Sequence, residues 1–321
     1  MIKKVLLTTL IILQSILSFS QDFSQRSVNR LAGDITFLGN NILVNADSAD
    51  LTIANENGSM DYIDQDDADA SISQADKDAT FSSSSAVLDI PDCSEIVYAG
   101  LYWAGIYPFD TWESEGNTTN TNIIKFRFPG QPYEDVTGDL ISNIGIAGQA
   151  PYAYYKDITT DVIDLGAAAE GEYYAGNIRG TTGVASASSV VDAIGSAAGW
   201  VMGVVYKDPS EPIKNIAIYD GFATLDAGSD SDIAFSDFLT VPAGNVNVDV
   251  LTAALGGDNN GVGDSFQIEN AAGTFENLTS GTKTGTKFFN GAISSTANPG
   301  TESNSAFDID LFQIDNTNQS V

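Results

Sequence analysis

Histidine is absent from this chain of 321 residues. That absence removes Ser-His-Asp and Cys-His catalysis, histidine general bases, and zinc sites other than those built from several cysteines. Cysteine is nearly absent too. Cys93 stands alone, so no intramolecular disulfide can form and packing, with a metal ion as a further option, must hold the fold. The lone thiol is expected to be buried and inert beside the strand that starts at Ile96. Basic residues are scarce, 13 Lys and Arg against 43 Asp and Glu, for a formal charge of −30. Such a field repels nucleic acid and anionic membranes and attracts divalent cations. Beyond the first twenty residues no apolar run is long enough to span a bilayer, and no glycine cluster is followed by the Lys-Ser or Lys-Thr of a phosphate-binding loop.

What is present begins with a leader. Lys3 and Lys4 precede an apolar run over residues 5–17, followed by Ser18 and Ser20 as a small-x-small cleavage site. This is the pattern of a secretory signal peptide over residues 1–20, with cleavage expected before Gln21 and a secreted or cell-surface destination. Losing the two lysines takes the charge from −30 to −32. The chain is nonetheless 43% apolar and 10% aromatic, enough to build a sizeable core.

The apolar residues recur with period two or in short continuous runs, punctuated by Gly, Asn, Asp, Ser and Pro, which is the signature of strands and turns. Ile124, Phe126 and Phe128 alternate with Lys125 and Arg127, and Val246, Val248 and Val250 alternate in the same way. The runs IVYAGLYWAG (96–105) and GWVMGVVY (199–206) are apolar at nearly every position, as central strands covered on both faces would be. The second is expected to form a hairpin with NIAIYDGF across the loop 208–212. Residues 61–85 and 180–198 read as looser, with one short helix allowed in the latter. The expected architecture is all-β, a single large β-sandwich or jelly-roll over residues 21–321 with few or no helices beyond the leader and a weak sub-boundary near residue 225.

Five segments carry a resemblance: GDITFLGNNIL (33–43), VYAGLYWAG (97–105), AGWVMGVVYKDPSEPIKNIAIYDGF (198–222), ALGGDNNGVGDSFQI (254–268) and FFNGAIS (288–294). Together, in this order, they resemble the N-terminal region of large flavobacterial surface proteins, adhesin-like and associated with gliding motility. The resemblance implies export by the type IX route, display at the cell surface and further domains of a longer parent protein. On that reading the C-terminus here is truncated.

Candidate chemistry lies in the carboxylates. DYIDQDDADASISQADKDA places Asp61, Asp64, Asp66, Asp67, Asp69, Asp76 and Asp78 close together, and Asp64, Asp66, Asp67 and Asp69 are the candidate ligands of a calcium ion. It is not an EF-hand. Counting from Asp64, the sixth position is Asp69 instead of Gly and the twelfth is Ala75 instead of Glu. GGDNNGVGDS offers a second calcium candidate through Asp258 and Asp264, though Asn, Asp and Gly also dominate plain turns. Asp308 and Asp310 alternate with Phe307, Ile309 and Leu311 and are expected on the wet face of a strand. Trp103 and Trp200 read as core, and Trp112 as a loop residue. The function expected is a non-catalytic structural or adhesive module outside the cell, with a glycan or protein ligand left open. One alternative is a carbohydrate-binding module using Trp112 with the pairs Tyr154-Tyr155 and Tyr173-Tyr174. Another is a glycosidase with two converging carboxylates.

Overall fold

The computed structural model describes residues 21–45, 59–107, 121–142, 150–184, 197–223, 230–234, 246–255, 257, 263–269, 273–279, 283–293 and 307–316. The leader, Trp112, Asp258 and most of the 180–198 stretch lie outside them. Within them the chain is all-β, with antiparallel sheets and two short α-helices, α1 (Gln74–Lys77) and α2 (Thr159–Asp164).

Two strands dominate the middle. β5 (Glu95–Tyr107) and β12 (Ala198–Lys207) pair antiparallel, with Trp103 opposite Trp200. On the far side of β5 lie β9 (Ala150–Asp157) and β8 (Asp139–Ser142), and on the far side of β12 lies β1 (Gln21–Asn41). Because side chains alternate across a strand, Ala99, Leu101, Trp103, Trp200, Met202 and Val204 share one face. They form a single core with Leu88, Phe126, Val136 and Tyr173. The latter come from a four-stranded sheet of β4 (Ser83–Leu88), β10 (Gly171–Gly176), β6 (Ile123–Arg127) and β7 (Tyr133–Thr137). Two sheets face to face over an apolar layer make a sandwich. Three short strands, β11 (Gly183–Val184), β3 (Ser59–Tyr62) and β2 (Leu43–Asn45), form a small sheet beside it.

The other face of β5 and β12 is covered by two further pieces. β1 pairs with β12 only from Gly33 to Asn41. From Gln21 to Ala32 it pairs with β13 (Ile213–Phe222). Ile218 pairs with Ser27 and Gly203 with Phe37, so a straight β1 would hold them about 33 Å apart at strand rise. Instead the Ile218 side chain lies 3.8 Å from where a Gly203 Cβ would be, and the Arg26 guanidinium stacks 4.4 Å over Tyr155 of β9. β1 therefore turns back at Gly33, and its first half with β13 lies over Tyr98, Tyr155 and Val205. Gly33 has φ +156°, and a Cβ there would collide with the Tyr206 carbonyl. The rest of this face takes β14 (Val246–Leu255) paired with β17 (Phe307–Asn316), whose Phe307 and Ile309 pack on Val201.

Several expectations hold. β5 and β12 are central and covered on both faces, and Trp103 and Trp200 are fully buried. Others need correction. β12 and β13 are not a hairpin: each pairs with β1, and the 208–212 loop crosses at the bend, where the Asp208 N–H donates to the Ala32 carbonyl at 3.0 Å. Residues 61–85 are ordered, held by β3, α1 and β4. Cys93 is exposed, in a left-handed turn at φ +70° just before β5. Its turn keeps it off the β5 face that would have buried it. Asp308 and Asp310 are about as buried as any residue here, and Asp308 turns inward against Lys283 and the main-chain amides of residues 290–292.

Two outcomes follow. Gly33→Ala is expected to lower unfolding free energy by about 2 kcal/mol or more, combining strained φ with a backbone collision. Gly130→Ala, where φ is +70° and nothing lies within 4 Å, costs about 1 kcal/mol. Urea titration of both variants checks the ranking. Cys93 in the native protein is expected to react with a thiol reagent as fast as in the denatured chain, and protection of the native thiol would contradict its exposed placement.

Candidate metal centre

The acidic segment is pinned to the start of β4 by backbone bonds. Ile63 N–H donates to the Ile42 carbonyl at 3.0 Å, Gln65 N–H to Ser83 at 3.0 Å, and Ser83 N–H back to Ile63 at 2.8 Å. Asp64 and Ser83 form a parallel bridge. One turn of 3₁₀-helix, Asp66–Ala68, follows, and α1 closes the loop with Ser73 as its N-cap. The result is a fixed turn whose carboxylates point together.

Asp64, Asp66 and Asp67 each bring a carboxylate oxygen within 4.8 Å of the others. Ser83 Oγ links the first two: it accepts from the Asp66 N–H at 2.9 Å and donates to Asp64 Oδ1 at 3.0 Å. Asp66 is fully buried. Its Oδ2 accepts from Thr80 Oγ1 at 3.0 Å, while its Oδ1, equally buried, has no hydrogen-bond partner among the described residues. The nearby Tyr133 hydroxyl is also buried and makes no hydrogen bond of normal geometry, and burial, the Asp66 charge and its close approach to the Asp66 carboxylate push its pKa far above the usual tyrosine range. The Lys77 ammonium donates at 2.8 Å to the main-chain carbonyl of Asp67, not to a carboxylate.

A buried carboxylate oxygen without a donor is costly, and adjacent negative charges add to the cost. The strain appears in Asp64, whose pKa is pushed up to about 6, first by burial, then by the closeness of Asp66, with which only a protonated Asp64 could hydrogen-bond, and by the charges of Asp66 and Asp67. A cation in the cluster would remove both penalties. The donors are all oxygens, with no thiolate or imidazole among them, which suits a hard divalent ion.

Of the other residues singled out in the sequence, Asp69 lies apart. It accepts from Ser71 N–H at 2.7 Å and from the Tyr174 hydroxyl at 3.0 Å, and the Ser71 bonds hold its pKa below the usual carboxylate value. Asp61 caps Tyr62 N–H, Asp76 takes Ser73 and Asp78 takes Gln74. Asp264 fastens a loop, its Oδ2 accepting from Phe289 N–H at 2.7 Å, and belongs to no carboxylate cluster among the described residues. Tyr155, Tyr173 and Tyr174 are buried and Tyr154 stacks on Trp103, so these four do not form an exposed aromatic platform. Thr80, Ser83 and Tyr133 went unread in the sequence, since hydroxyls carry no spacing signal and Tyr133 arrives from another sheet strand.

Comparison with known protein families, characterised proteins and solved structures finds no match to this chain.

Because the folded pKa of Asp64 lies above the ordinary 3.8, its contribution to stability without a cation is complete below that value and lost as pH rises through about 6. In chelator, the wild-type protein is expected to lose stability between about pH 4 and pH 7 relative to Asp64→Asn. Urea unfolding at a series of pH values measures the difference, and parallel curves would remove Asp64 from the cluster's electrostatics.

Proposed function

We propose that this protein is a non-catalytic, exported structural or adhesive module whose acidic turn binds a divalent cation, calcium by its chemistry, through Asp64, Asp66 and Asp67. The observation that carries the cation is the fully buried Asp66 oxygen without a donor, flanked by two more carboxylates. Calcium accepts six to eight oxygen ligands at flexible geometry, so three carboxylates, neighbouring hydroxyl or carbonyl oxygens and water can satisfy it.

Export and surface display rest on the leader-like first twenty residues and on the resemblance to flavobacterial surface proteins. The parent architecture, with domains following on the C-terminal side, belongs to the same resemblance. Two further features agree with a binding role outside the cell. The acidic surface disfavours nucleic acid and anionic membrane, and the absence of histidine narrows the available catalysis to carboxylates. No helix among the described residues is long and apolar enough to cross a membrane.

An ion that binds only the folded state stabilises it in proportion to the logarithm of its concentration over Kd. At a hundredfold excess this is about 2.7 kcal/mol, or roughly 5 °C in Tm for a chain of this size. Calcium at millimolar concentration is expected to raise the melting temperature by that order over excess chelator, and Asp66→Asn to abolish the difference. Matched melts of the wild type with and without calcium would leave Asp64, Asp66 and Asp67 as a strained but empty turn.

A further inference from the structure

A second polar group, separate in sequence from the acidic turn, is sealed inside the C-terminal part of the chain. The side chains of Lys283 and Asp308 are 2 and 1% exposed, with Nζ 2.5 Å from Oδ1. Lys283 Nζ also donates to the Phe288 carbonyl at 3.2 Å and to Asn290 Oδ1 at 3.3 Å, and lies 5.6 Å from the centroid of the Phe288 ring. Three consecutive main-chain amides converge on the carboxyl group. Asn290 and Ala292 donate to Oδ1 at 3.0 and 3.2 Å, and Gly291 donates to Oδ2 at 3.2 Å. Gly257 backs onto Oδ2 so closely that a Cβ there would overlap it.

We propose that Lys283 and Asp308 condense into an intramolecular amide, a covalent cross-link between the 283–293 loop and β17. Two features of the site bear on this. A buried ion pair is held at the cost of desolvating both charges, and the first step of the condensation is proton transfer across the Nζ–Oδ1 contact, which removes that cost and sets a neutral amine beside a neutral acid. Burial does push the Asp308 pKa up, against the pull of Lys283 and the amide donors. The amine is then a nucleophile already in contact with its electrophile, so the reaction is intramolecular and needs no collision.

The step balances without a co-reactant. The Nζ lone pair attacks Cγ, and the Gly291 amide holds the negative charge that develops on Oδ2, as an oxyanion hole does. Oδ1, the oxygen in contact with Nζ, takes the amine proton and departs with its own as water. One Nζ–Cγ bond forms, one Cγ–Oδ1 bond breaks, and nothing is oxidised or reduced. The cross-link goes beyond the cation reading and does not rest on it.

Mass spectrometry of the purified, denatured protein tests it. The chain is expected to be lighter than its sequence by one water, and its digest to contain a branched peptide joining the Lys283 and Asp308 fragments. Lys283→Arg keeps the charge but cannot form the bond, and its mass should match its sequence. The wild-type measurement stands by itself if that variant fails to fold. A wild-type chain of full sequence mass would overturn the proposal. So would loss of one water without the branched peptide, or loss of one ammonia with the branch at Asn290.

Discussion

The structure depends on one constraint: β5 and β12, paired side by side, are apolar on both faces. A strand that is apolar on one face needs one covering layer, whereas these two need layers above and below. The four-stranded sheet supplies one. The other face is too long for a single hairpin and is divided between the folded-back half of β1 with β13 and the β14–β17 pair. The extra length of β1, its bend at Gly33 and the return of the chain in β17 all follow from the need to keep water off that second face.

Burial on this scale brings polar atoms inside, and nearly all are placed against a partner. The Trp200 indole N–H donates to Ser84 Oγ at 2.9 Å and that of Trp103 to the Thr121 carbonyl at 2.9 Å. The Tyr173 hydroxyl reaches the Ala169 carbonyl at 2.7 Å. Against that background the Asp66 carboxylate stands out, satisfied on one oxygen and not on the other, beside two more carboxylates and the equally unpaired Tyr133 hydroxyl. Asp308 is its opposite, a buried carboxyl surrounded by donors on every side the structure describes. The two sites show how differently a carboxylate can be kept inside one protein: Asp66 among like charges with one oxygen bare, Asp308 against an ammonium and three main-chain amides.

The elements legible in the sequence were those whose burial is set by their own composition. IVYAGLYWAG and GWVMGVVY could only be central, and the alternation at Ile124, Phe126 and Phe128 placed that face in the core. Pairing was harder to read. The proximity of β12 and β13 in sequence suggested a hairpin, but the strand that joins them comes from the beginning of the chain, and no local signal marks so remote a partner. The same alternation that identified β6 misplaced Asp308, since a strand with polar residues on one face reads alike whether that face meets water or a set of converging amides. The acidic turn was legible in type but not in membership. Asp64, Asp66 and Asp67 come together because β4 pins the chain at Ser83, while Asp69, only two residues on from Asp67, turns towards Tyr174.

The position of β1 also has a kinetic side. Residues 33–41 pair with residues 199–207, so the first strand of the domain stays without its main partner until most of the chain is available. Contacts this distant in sequence close slowly. During that interval Ile35, Phe37 and Leu38 form an open apolar edge of the kind that pairs with other chains. The beginning of this chain thus carries its longest wait, since both strands that flank β1 lie beyond residue 197.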